Sequence, residues 1–345
     1  MTSSQLDNLA VAIERRLAAL FRERSFGPRT GLFAAPPHSD LLDQVRDLTL
    51  RGGKRLRPAL LAGGAALFEA EALGSPAVLD AGTALELLHA YFLIHDDIMD
   101  EDETRRGGPS VHAALTRDKG DPKLGRDLAI LAGDLAAALH EGLLANLDAP
   151  VERRLLVTRI FAEMHLDVVH GQTLDLLGNA SAEEVASRKT ASYTTVGPLT
   201  AGAALGGADA DQVAELAEIG RPLGVAFQIR DDLLGVFGEP GKTGKPVGTD
   251  LRIGKRTLLL ERALTLASAE ERQAIEDVLG RPDATAEDVA AAAQALTTCG
   301  AKSDCENRIT ELVDGALGSL TSGQYLEQGA RLLSDLAGIL SHRDA

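Results

Sequence analysis

The chain is poor in aromatic residues, in cysteine and in segments that alternate between apolar and polar residues. Tryptophan is absent from the 345 residues, and aromatic residues make up 3% of them. Almost no segment has the period-two alternation of a half-buried strand, so the sequence predicts an all-α protein. Cys299 and Cys305 are the two cysteines. Their spacing is unsuited to a zinc site, and we expect free thiols in a reducing cytoplasm.

Positive charge and membrane segments are also scarce in the sequence. The formal net charge of −16 opposes non-specific binding to nucleic acid or to anionic lipid, because both need a basic surface. Charged residues interrupt the apolar stretch at the N-terminus, so we expect no signal peptide there. We also expect no membrane-spanning helix and therefore no membrane insertion.

Helical periodicity runs through most of the chain. A hydrophobic content of 45% can fill a large core, and neither an internal repeat nor a linker rich in Pro, Gly or Ser divides the sequence. We therefore predict one domain, residues 1–345, built as an antiparallel helical bundle. The predicted helices span residues 4–24 and 41–50, resume after the break at Gly52 and Gly53 and run to Leu67, and then span 76–100, 121–147, 151–178, 181–204 and 209–237. Shorter helices are predicted from Lys255 to the end.

Acidic residues cluster at the end of the apolar run LLHAYFLIHDD. Asp96, Asp97 and Asp100 form a DDxxD pattern with Asp102 beside it. Residues four apart lie about 40° apart on a helix, so the carboxylates of Asp96 and Asp100 face a common point. Buried acids need a compensating cation, and Mg²⁺ is usually held by one or two carboxylates together with phosphate oxygens. The bland alternative is a solvated acidic helix end.

A second acidic cluster follows in GVAFQIRDDLLG, with Gln228 before Asp231 and Asp232. The segment after it, residues 238–254, combines Gly, Pro and Lys and predicts a mobile basic lid that contains Lys242 and Lys245. Two such acidic clusters would repel each other at close range unless cations bridged them.

Two basic motifs complete the pattern. In RGGKRLRP, Lys54, Arg55 and Arg57 follow two glycines at a predicted helix start, which favours phosphate. In ASRKTASY, Lys189 and Thr190 interrupt a helix of small residues. Each motif alone is as well explained by a solvated basic turn or a solvated lysine.

Together, the motifs from Gly52 to Arg256 resemble the trans-isoprenyl diphosphate synthase family in order and spacing. This resemblance implies the isoprenoid synthase type of helical bundle around a central cavity. It also implies condensation of isopentenyl diphosphate with an allylic diphosphate, dimethylallyl or geranyl, to a short-chain trans-prenyl diphosphate. The implied cofactor is Mg²⁺, with three ions expected, and the implied assembly is a homodimer.

The resemblance also assigns expected roles to individual residues. The expected metal ligands are Asp96, Asp100 and Asp231, with Asp97 and Asp102 in support. The residues expected to bind isopentenyl diphosphate are Lys54, Arg57, His89 and Arg106. The residues expected around the allylic diphosphate are Arg105, Lys189, Gln228, Lys245 and Lys255, and Thr190 and Gln228 would face the developing allylic cation. His89 lies seven residues before Asp96, nearly on the same helical face.

Three positions concern the second acidic motif and the length of the product. Gly235 stands where the second motif usually carries a further Asp, which leaves the outer shell of a metal there open. Phe92, four residues before Asp96, can form the floor for the growing prenyl tail, and the resemblance adds Tyr91. Two rings there favour a short product, with farnesyl diphosphate first and geranyl or geranylgeranyl diphosphate as alternatives.

Two other functions compete with this interpretation. A class I terpene cyclase shares metal-triggered ionisation, but its pocket should be rich in aromatic residues, and a second diphosphate site such as RGGKRLRP would be unnecessary. A non-catalytic scaffold subunit should have lost its acidic or basic ligands, which are present here.

Overall fold

The computed structural model describes residues 3–23, 38–238 and 248–341. Helices form almost all of the regular structure in these ranges, which confirms the all-α prediction. The described residues fall into two compact units. Unit 1 holds residues up to Ile160 with Ala201–Asp209 and Leu326–Gly329, and unit 2 holds the rest. The single-domain expectation stays a prediction.

Unit 1 carries the N-terminal helices and one short hairpin. Its helices are α1 (Ser3–Glu23), α2 (Ser39–Leu50), α3 (Leu56–Ala66), α4 (Pro76–Met99), α5 (Val111–Lys119), α6 (Pro122–Ala145) and the first part of α7 (Val151–Leu177), with a 3-10 turn at Ala70–Gly74. Strands β1 (Thr104–Arg105) and β2 (Gly108–Pro109) pair antiparallel. The hairpin and α5 were not predicted from the sequence.

The core of unit 1 surrounds α4 and α6. Leu87, Ala90 and Ile94 of α4 pack in one buried cluster with Ala132 and Ala136 of α6. Ser75 caps α4 by accepting a hydrogen bond from the Val78 amide, and Pro76 occupies its first turn. Both signals are local, which is why the start of this helix was predictable.

We expected no helix of membrane-spanning length and composition, and this expectation was wrong for two of the described helices. Both α4 and α6 are long and apolar enough to cross a membrane by length and composition. The apolar stretch of α4 is mostly buried inside the protein, as is usual for a core helix. A smaller share of the apolar stretch of α6 is buried.

Unit 2 carries the remaining helices. They are the C-terminal part of α7, α8 (Ala182–Val185), a π-helix (Ala186–Val196), the first residues of α9 (Gly197–Gly206), α10 (Ala210–Phe237), α11 (Thr249–Arg252), α12 (Leu258–Leu266), α13 (Ala269–Glu276), α14 (Ala286–Thr298), α15 (Ala301–Ser322) and most of α16 (Glu327–Ser341). Helix α10 packs against the π-helix and α15. Both cysteines are free thiols, as expected.

Candidate active site

The first acidic cluster occupies the last turn of α4. Asp97 is fully buried, whereas Asp96 is half-buried and Asp100 is exposed. The Asp100 amide donates a hydrogen bond to the Asp96 carbonyl at 2.8 Å, so helical geometry persists to the end of the cluster. By this geometry Asp96 and Asp100 lie on one helical face that reaches solvent, while Asp97 is buried within unit 1.

Asp97 is neutralised within unit 1 by Arg105. Arg105 donates from Nε to Asp97 Oδ1 at 2.6 Å and from Nη2 to Asp102 Oδ2 at 2.8 Å. Burial raises the pKa of Asp97 to about 6, against the opposing attraction of Arg105. Among the described residues, Asp97 Oδ2 has no hydrogen-bond partner. Asp97 thus holds Arg105 in place and does not face solvent with its neighbours.

The β1–β2 hairpin presents Arg105 and Arg106. Arg105 pairs with Gly108 across a two-residue turn in which Arg106 and Gly107 have φ of 53° and 70°, the signs that a type I′ turn needs. Arg51 fixes the hairpin by donating from Nη1 to the Pro109 carbonyl at 2.6 Å. The side chains of the two adjacent arginines have different partners: Arg105 contacts Asp97 and Asp102, and Arg106 contacts the Gly52 carbonyl.

Arg106 joins the hairpin to the basic RGGKRLRP motif. Its Nη1 donates to the Gly52 carbonyl at 3.1 Å, two residues before the exposed Lys54. On α4, the buried His89 has its Nε2 3.4 Å from Arg57 Nη1. Burial, followed by Arg57 and Arg106, lowers the pKa of His89 well below its usual value. A neutral imidazole beside guanidinium groups is an environment that favours an anion.

Arg55, by contrast, is used inside the fold. It forms a buried ion pair with Glu86 of α4 and donates from Nη2 to the Thr49 carbonyl at 2.9 Å. The three basic residues of the motif therefore differ in burial and in their partners. Arg55 is structural, whereas Lys54 is exposed and Arg57 lies beside His89.

Tyr91 and Phe92, the expected chain-length residues, are half-buried neighbours on α4. Their ring centroids are 5.2 Å apart, and the Tyr91 ring also meets His95 edge-on at 4.7 Å. Tyr91 packs against the buried cluster of unit 1, a cluster in which Phe92 has no part. The two rings thus differ, with Tyr91 tied to the core and available to support Phe92.

The second acidic cluster lies near the end of α10 in unit 2. Asp231 is exposed, and Asp232 is 6% exposed. Asp232 Oδ1 accepts from Gln228 Nε2 at 2.8 Å and from Lys255 Nζ at 2.9 Å. Burial raises the pKa of Asp232, opposed by Lys255. The pKa of Lys255 is raised because its attraction to Asp232 and Asp250 outweighs burial.

Lys189 and Thr190 lie on the π-helix. Lys189 Nζ donates to Asp175 Oδ2 at 2.8 Å, and Thr190 Oγ1 donates to Gln228 Oε1 at 2.6 Å. Thr190, Gln228, Asp232 and Lys255 therefore form one hydrogen-bonded chain. The π-helical register, which often marks functional sites, sets the directions of the two side chains.

Two glycines let neighbouring helices approach the π-helix. A Cβ at Gly171 of α7 would lie 2.3 Å from the Lys189 amide nitrogen, and one at Gly224 of α10 would lie 2.4 Å from the Ala191 Cα. Such distances exclude any side chain at either position. The close approach positions Asp175 and Gln228 to reach Lys189 and Thr190.

Sequence analysis missed Asp175 and Asp250 as members of this site. Asp175 lies on a helix that carries many charges, so nothing in its local sequence distinguishes it. Its spacing of four residues from Gly171 could have indicated that it shares the helical face that packs closely against the π-helix. Asp250 lies within the Gly- and Pro-containing segment 238–254, where the spacing of residues predicts no specific contact. Lys242 and Lys245 lie outside the described residues.

The acidic residues fit a divalent metal of the Mg²⁺ type. Asp96 and Asp100 offer a pair of carboxylates one turn apart, and Asp231 offers an exposed carboxylate on another helix. In the described parts of the chain, no group of three or more His, Cys, Asp or Glu side chains is placed to hold a metal ion by itself. One or two carboxylates completed by phosphate oxygens and water suit Mg²⁺ better than zinc.

Comparison with known proteins gives matches over most of the chain. The polyprenyl synthetase family model matches residues 39–296. A short-chain isoprenyl diphosphate synthase from Methanothermobacter thermautotrophicus is 36% identical over 70% of this chain and 73% of its own. A farnesyl diphosphate synthase from Geobacillus stearothermophilus is 39% identical over 65% and 74%.

A solved structure extends the similarity over nearly the whole chain. The geranylgeranyl pyrophosphate synthase from Corynebacterium glutamicum, complexed with isoprenyl diphosphate and magnesium, has a TM-score of 0.87 and 35% identity. The match covers 98% of this chain and 99% of that one. The helical fold is therefore of the isoprenoid synthase type that the sequence resemblance implied.

Proposed function

Because the chain belongs to the polyprenyl synthetase family, whose members are trans-prenyltransferases, we propose that it joins isopentenyl diphosphate head-to-tail to an allylic diphosphate. The allylic substrate is dimethylallyl or geranyl diphosphate. The observation that carries the proposal is the pairing, on α4, of an anion-favouring group with an acidic helix end. His89, beside Arg57, lies seven residues before Asp96.

The isopentenyl diphosphate binds through the basic residues of unit 1. Arg57 and Arg106 supply guanidinium groups that hydrogen-bond diphosphate oxygens, Lys54 adds an exposed ammonium, and neutral His89 donates one ring N–H. A neutral histidine adds no further positive charge to a crowded basic site. Its hydrogen bond also orients the diphosphate relative to the double bond that reacts.

The allylic diphosphate binds through Arg105, Lys189, Lys245 and Lys255. Carboxylates on their own units already hold three of these cations, since Arg105 pairs with Asp97, Lys189 with Asp175, and Lys255 with Asp232. Their positions are thereby fixed before substrate arrives, which is the condition for effective electrostatic catalysis. Lys245 is assigned by the family pattern.

Asp96, Asp100 and Asp231 would hold Mg²⁺, and we propose three ions, the number that the family resemblance implies. When bound, the metal neutralises charge that develops on the leaving diphosphate. The residues of the chain position the two substrates around this event. Thr190 and Gln228 present oxygens toward the carbon that becomes cationic, and their mutual hydrogen bond of 2.6 Å fixes where those oxygens point.

The reaction proceeds by ionisation, condensation and elimination. The allylic C–O bond breaks, and its electron pair leaves with the diphosphate. The π electrons of the isopentenyl double bond then form the new C–C bond to the allylic cation. A proton is lost from the carbon next to the resulting cation, and the released diphosphate accepts it. No protein nucleophile takes part.

We propose farnesyl diphosphate as the product, because two aromatic rings precede Asp96. Phe92 blocks the growing tail, and Tyr91 supports it through the ring contact at 5.2 Å. The relatives span both product lengths, since one is named a farnesyl and the structural neighbour a geranylgeranyl diphosphate synthase. Geranylgeranyl diphosphate is therefore the second candidate.

Product analysis tests both activity and length. The purified protein is incubated with Mg²⁺, labelled isopentenyl diphosphate and, separately, dimethylallyl, geranyl or farnesyl diphosphate, and products are separated by chromatography after dephosphorylation. Elongation that stops at the C15 alcohol supports the proposal. A cyclic hydrocarbon would instead identify a terpene cyclase, and the absence of turnover would identify a scaffold subunit. A C20 alcohol would identify geranylgeranyl diphosphate as the product.

We also propose a homodimer in the cytoplasm. Apolar side chains are exposed on two helices, among them Ile130 and Leu131 of α6 and Leu166 and Val169 of α7. A second copy of the chain would remove such a surface from water. Sedimentation at micromolar concentration should give twice the chain mass, and cell fractionation should recover the protein with cytoplasmic markers. A monomer, or recovery with membranes, would contradict the respective part.

A further inference from the structure

Arg55 adopts a backbone conformation that residues with a side chain rarely take. It has φ of 49° and ψ of 36° and directly precedes α3, and Gly52 and Gly53 before it have φ of 84° and 139°. Glycine tolerates such angles, whereas Arg55 adopts them at a cost in free energy. A conformation of this kind persists only where the surrounding structure enforces it, and it is often found beside functional sites.

The guanidinium group of Arg55 holds this turn from inside unit 1. Its Nη1 donates to Glu86 Oε2 on α4, and its Nη2 donates to the Thr49 carbonyl at 2.9 Å. Thr49 lies in the last turn of α2, where helical carbonyls lack intrahelical partners. The side chains of Arg55 and Glu86 are 2% and 3% exposed. One buried side chain therefore ties the turn at residues 51–55 to both α2 and α4.

A second link joins the same turn region to α4 almost one helical turn farther along. Arg57, in the first turn of α3, has its Nη1 3.4 Å from Nε2 of His89, and His89 lies three residues after Glu86. Residues three apart lie on nearly one face of a helix, about 4.5 Å apart along its axis. The pair of Arg55 and Glu86 is thus placed to set the position of Arg57 relative to His89.

The turn is held from a second direction by Arg106. Arg106 Nη1 donates to the Gly52 carbonyl at 3.1 Å, and a Cβ at Gly53 would lie 3.8 Å from Arg106 Nη2. Lys54 is exposed, while its neighbour Arg55 is buried. The backbone from which Lys54 extends therefore has a fixed place in unit 1.

Stability alone does not explain a buried ion pair at this place. Removing two charges from water is costly, and apolar side chains of similar volume often stabilise a protein equally well. An ion pair with arginine adds direction, because the planar guanidinium group binds its acceptors in a fixed geometry. In this protein the acceptors are Glu86 on α4 and Thr49 on α2. Such a geometry is useful where several groups at the turn must converge on one ligand.

We propose that the buried pair of Arg55 and Glu86 positions the site for the diphosphate of isopentenyl diphosphate. The residues positioned there are Lys54, Arg57 and His89. Arg55 and Glu86 are positioning residues, since their buried side chains act through the turn and not on the substrate. This inference rests on the proposed function, in which those three residues bind isopentenyl diphosphate.

Steady-state kinetics of the two substrates tests this inference. The KM of isopentenyl diphosphate is measured at saturating geranyl diphosphate, and the KM of geranyl diphosphate at saturating isopentenyl diphosphate. Glu86→Gln should raise the KM of isopentenyl diphosphate at least about tenfold, because misplaced groups lose their contacts, and should leave the KM of geranyl diphosphate unchanged. The matched control is Asp80→Asn, which breaks the ion pair of Asp80 with Arg16 on the same helix and should leave both values unchanged.

A double variant separates positioning from folding. Glu86→Gln leaves Arg55 buried without its anion and should lower the free energy of unfolding. Arg55→Met combined with Glu86→Leu removes both charges, so the free energy of unfolding in urea should return close to that of wild type. The KM of isopentenyl diphosphate should nevertheless stay raised. A purely structural role predicts instead that this KM recovers together with stability.

A milder variant gives the same test if the double variant does not fold. Arg55→Lys keeps a positive charge beside Glu86 but loses the fork that also reaches Thr49. It should raise the KM of isopentenyl diphosphate about threefold and leave the KM of geranyl diphosphate unchanged. An unchanged KM of isopentenyl diphosphate in this folded variant would count against the proposal.

The outcomes separate this inference from the proposed function. Arg57→Gln removes a group that is expected to touch the diphosphate, so a wild-type KM of isopentenyl diphosphate in that variant would overturn the assigned site itself. If Arg57→Gln raises this KM but Glu86→Gln does not, or if the double variant restores it, only the role of the ion pair is overturned. An equal rise of both KM values in Glu86→Gln would also contradict the positioning of one substrate site.

Discussion

The aspartate pairs of α4 and α10 share one arrangement, in which one acid is buried against a cation and the other is not. In each pair the first acid, Asp96 or Asp231, reaches solvent, while the second, Asp97 or Asp232, is buried against a cation of its own unit. Adjacent residues point about 100° apart on a helix, so one DD pair necessarily divides between two directions. The doubled aspartate thus provides one candidate metal ligand and one structural anchor.

The pairs differ in where their partners come from. Asp97 takes Arg105 from the hairpin that directly follows α4, and Asp100 lies one turn farther along α4 itself. Asp232 takes Lys255 from 23 residues away, and Asp250 fills the space beside Gly235. The comparison teaches that a buried acid can be recognised from sequence when its cation follows directly, as for Asp97 and Arg105, but not when its cation lies far along the chain, as for Asp232 and Lys255.

The largest effect is expected from the exposed acid of α4. Asp96→Ala should reduce kcat by at least about 10³-fold, because electrostatic stabilisation of the leaving group is lost. Unfolding by urea should change little, because Arg105, which Asp96 also attracts, keeps its hydrogen bonds to Asp97 and Asp102. Asp127→Ala on α6, an exposed acid paired with Lys123, is the matched control and should keep wild-type turnover. Near-native activity of Asp96→Ala would remove the first motif from the mechanism.

The buried acid of α10 should affect stability instead. Lys255→Met leaves Asp232 without its cation and should lower the free energy of unfolding by about 2 kcal/mol, less than for a fully buried pair because Lys255 is one-third exposed. Adding Asp232→Asn should recover part of this loss. Lys123→Met, at a well-exposed lysine, should change the free energy by less than about 0.5 kcal/mol in urea unfolding. Equal losses in both lysine variants would refute the anchor role.

The helices also invite a comparison of the aromatic residues before each pair. Phe92 and Phe227 each lie four residues before the exposed acid. Phe92→Ala, and more so its combination with Tyr91→Ala, should lengthen the main product by at least one isoprene unit, because the floor is removed. Phe227→Ala should leave product length unchanged. Chromatography of the dephosphorylated products decides, and an unaltered spectrum in the Phe92 and Tyr91 variants would place the floor elsewhere.

The smallest effect concerns His89 and pH. Its pKa is lowered in the folded protein, so below about pH 6.5 the unfolded chain binds a proton that folded His89 does not. The free energy of unfolding should therefore fall on acidification by up to about 1.4 kcal/mol per pH unit more in wild type than in His89→Gln. The raised pKa of Asp97 acts in the opposite sense but is common to both proteins.

Urea unfolding from pH 7.5 to pH 5 measures this difference. His38→Gln, at an exposed histidine, serves as the control and should follow wild type throughout. Parallel curves for wild type and His89→Gln would show that His89 can take up a proton in the folded protein.

Much of the fold was predictable because its signals are local. The predicted helix at residues 76–100 corresponds to Pro76–Met99, where Ser75 and Pro76 mark the start. The predicted helix at 209–237 corresponds to Ala210–Phe237, where the helical pattern continues through Pro222. The π-helix was not predictable, because its register depends on the close approach of Gly171 and Gly224. The strands β1 and β2 were not predictable either, because two residues are too few to show an alternating pattern.

The site was predictable to the extent that its residues form motifs. Acidic and basic clusters identified Asp96, Asp231 and Arg57, but not which acid of each pair is buried. Asp175 and Asp250 became visible only through contacts with Lys189 and Gly235, which spacing along the chain does not encode. Side-chain roles that depend on tertiary contacts therefore require the structure.

Anomalous diffraction from crystals soaked with Mn²⁺ and pyrophosphate tests the central claim most directly. We expect manganese peaks at the carboxylates of Asp96 and Asp100 and at that of Asp231, with Asp97 and Asp232 still bound to Arg105 and Lys255. Manganese coordinated by the buried acids, or peaks at neither motif while pyrophosphate is bound, would contradict the division of each aspartate pair into a ligand and an anchor.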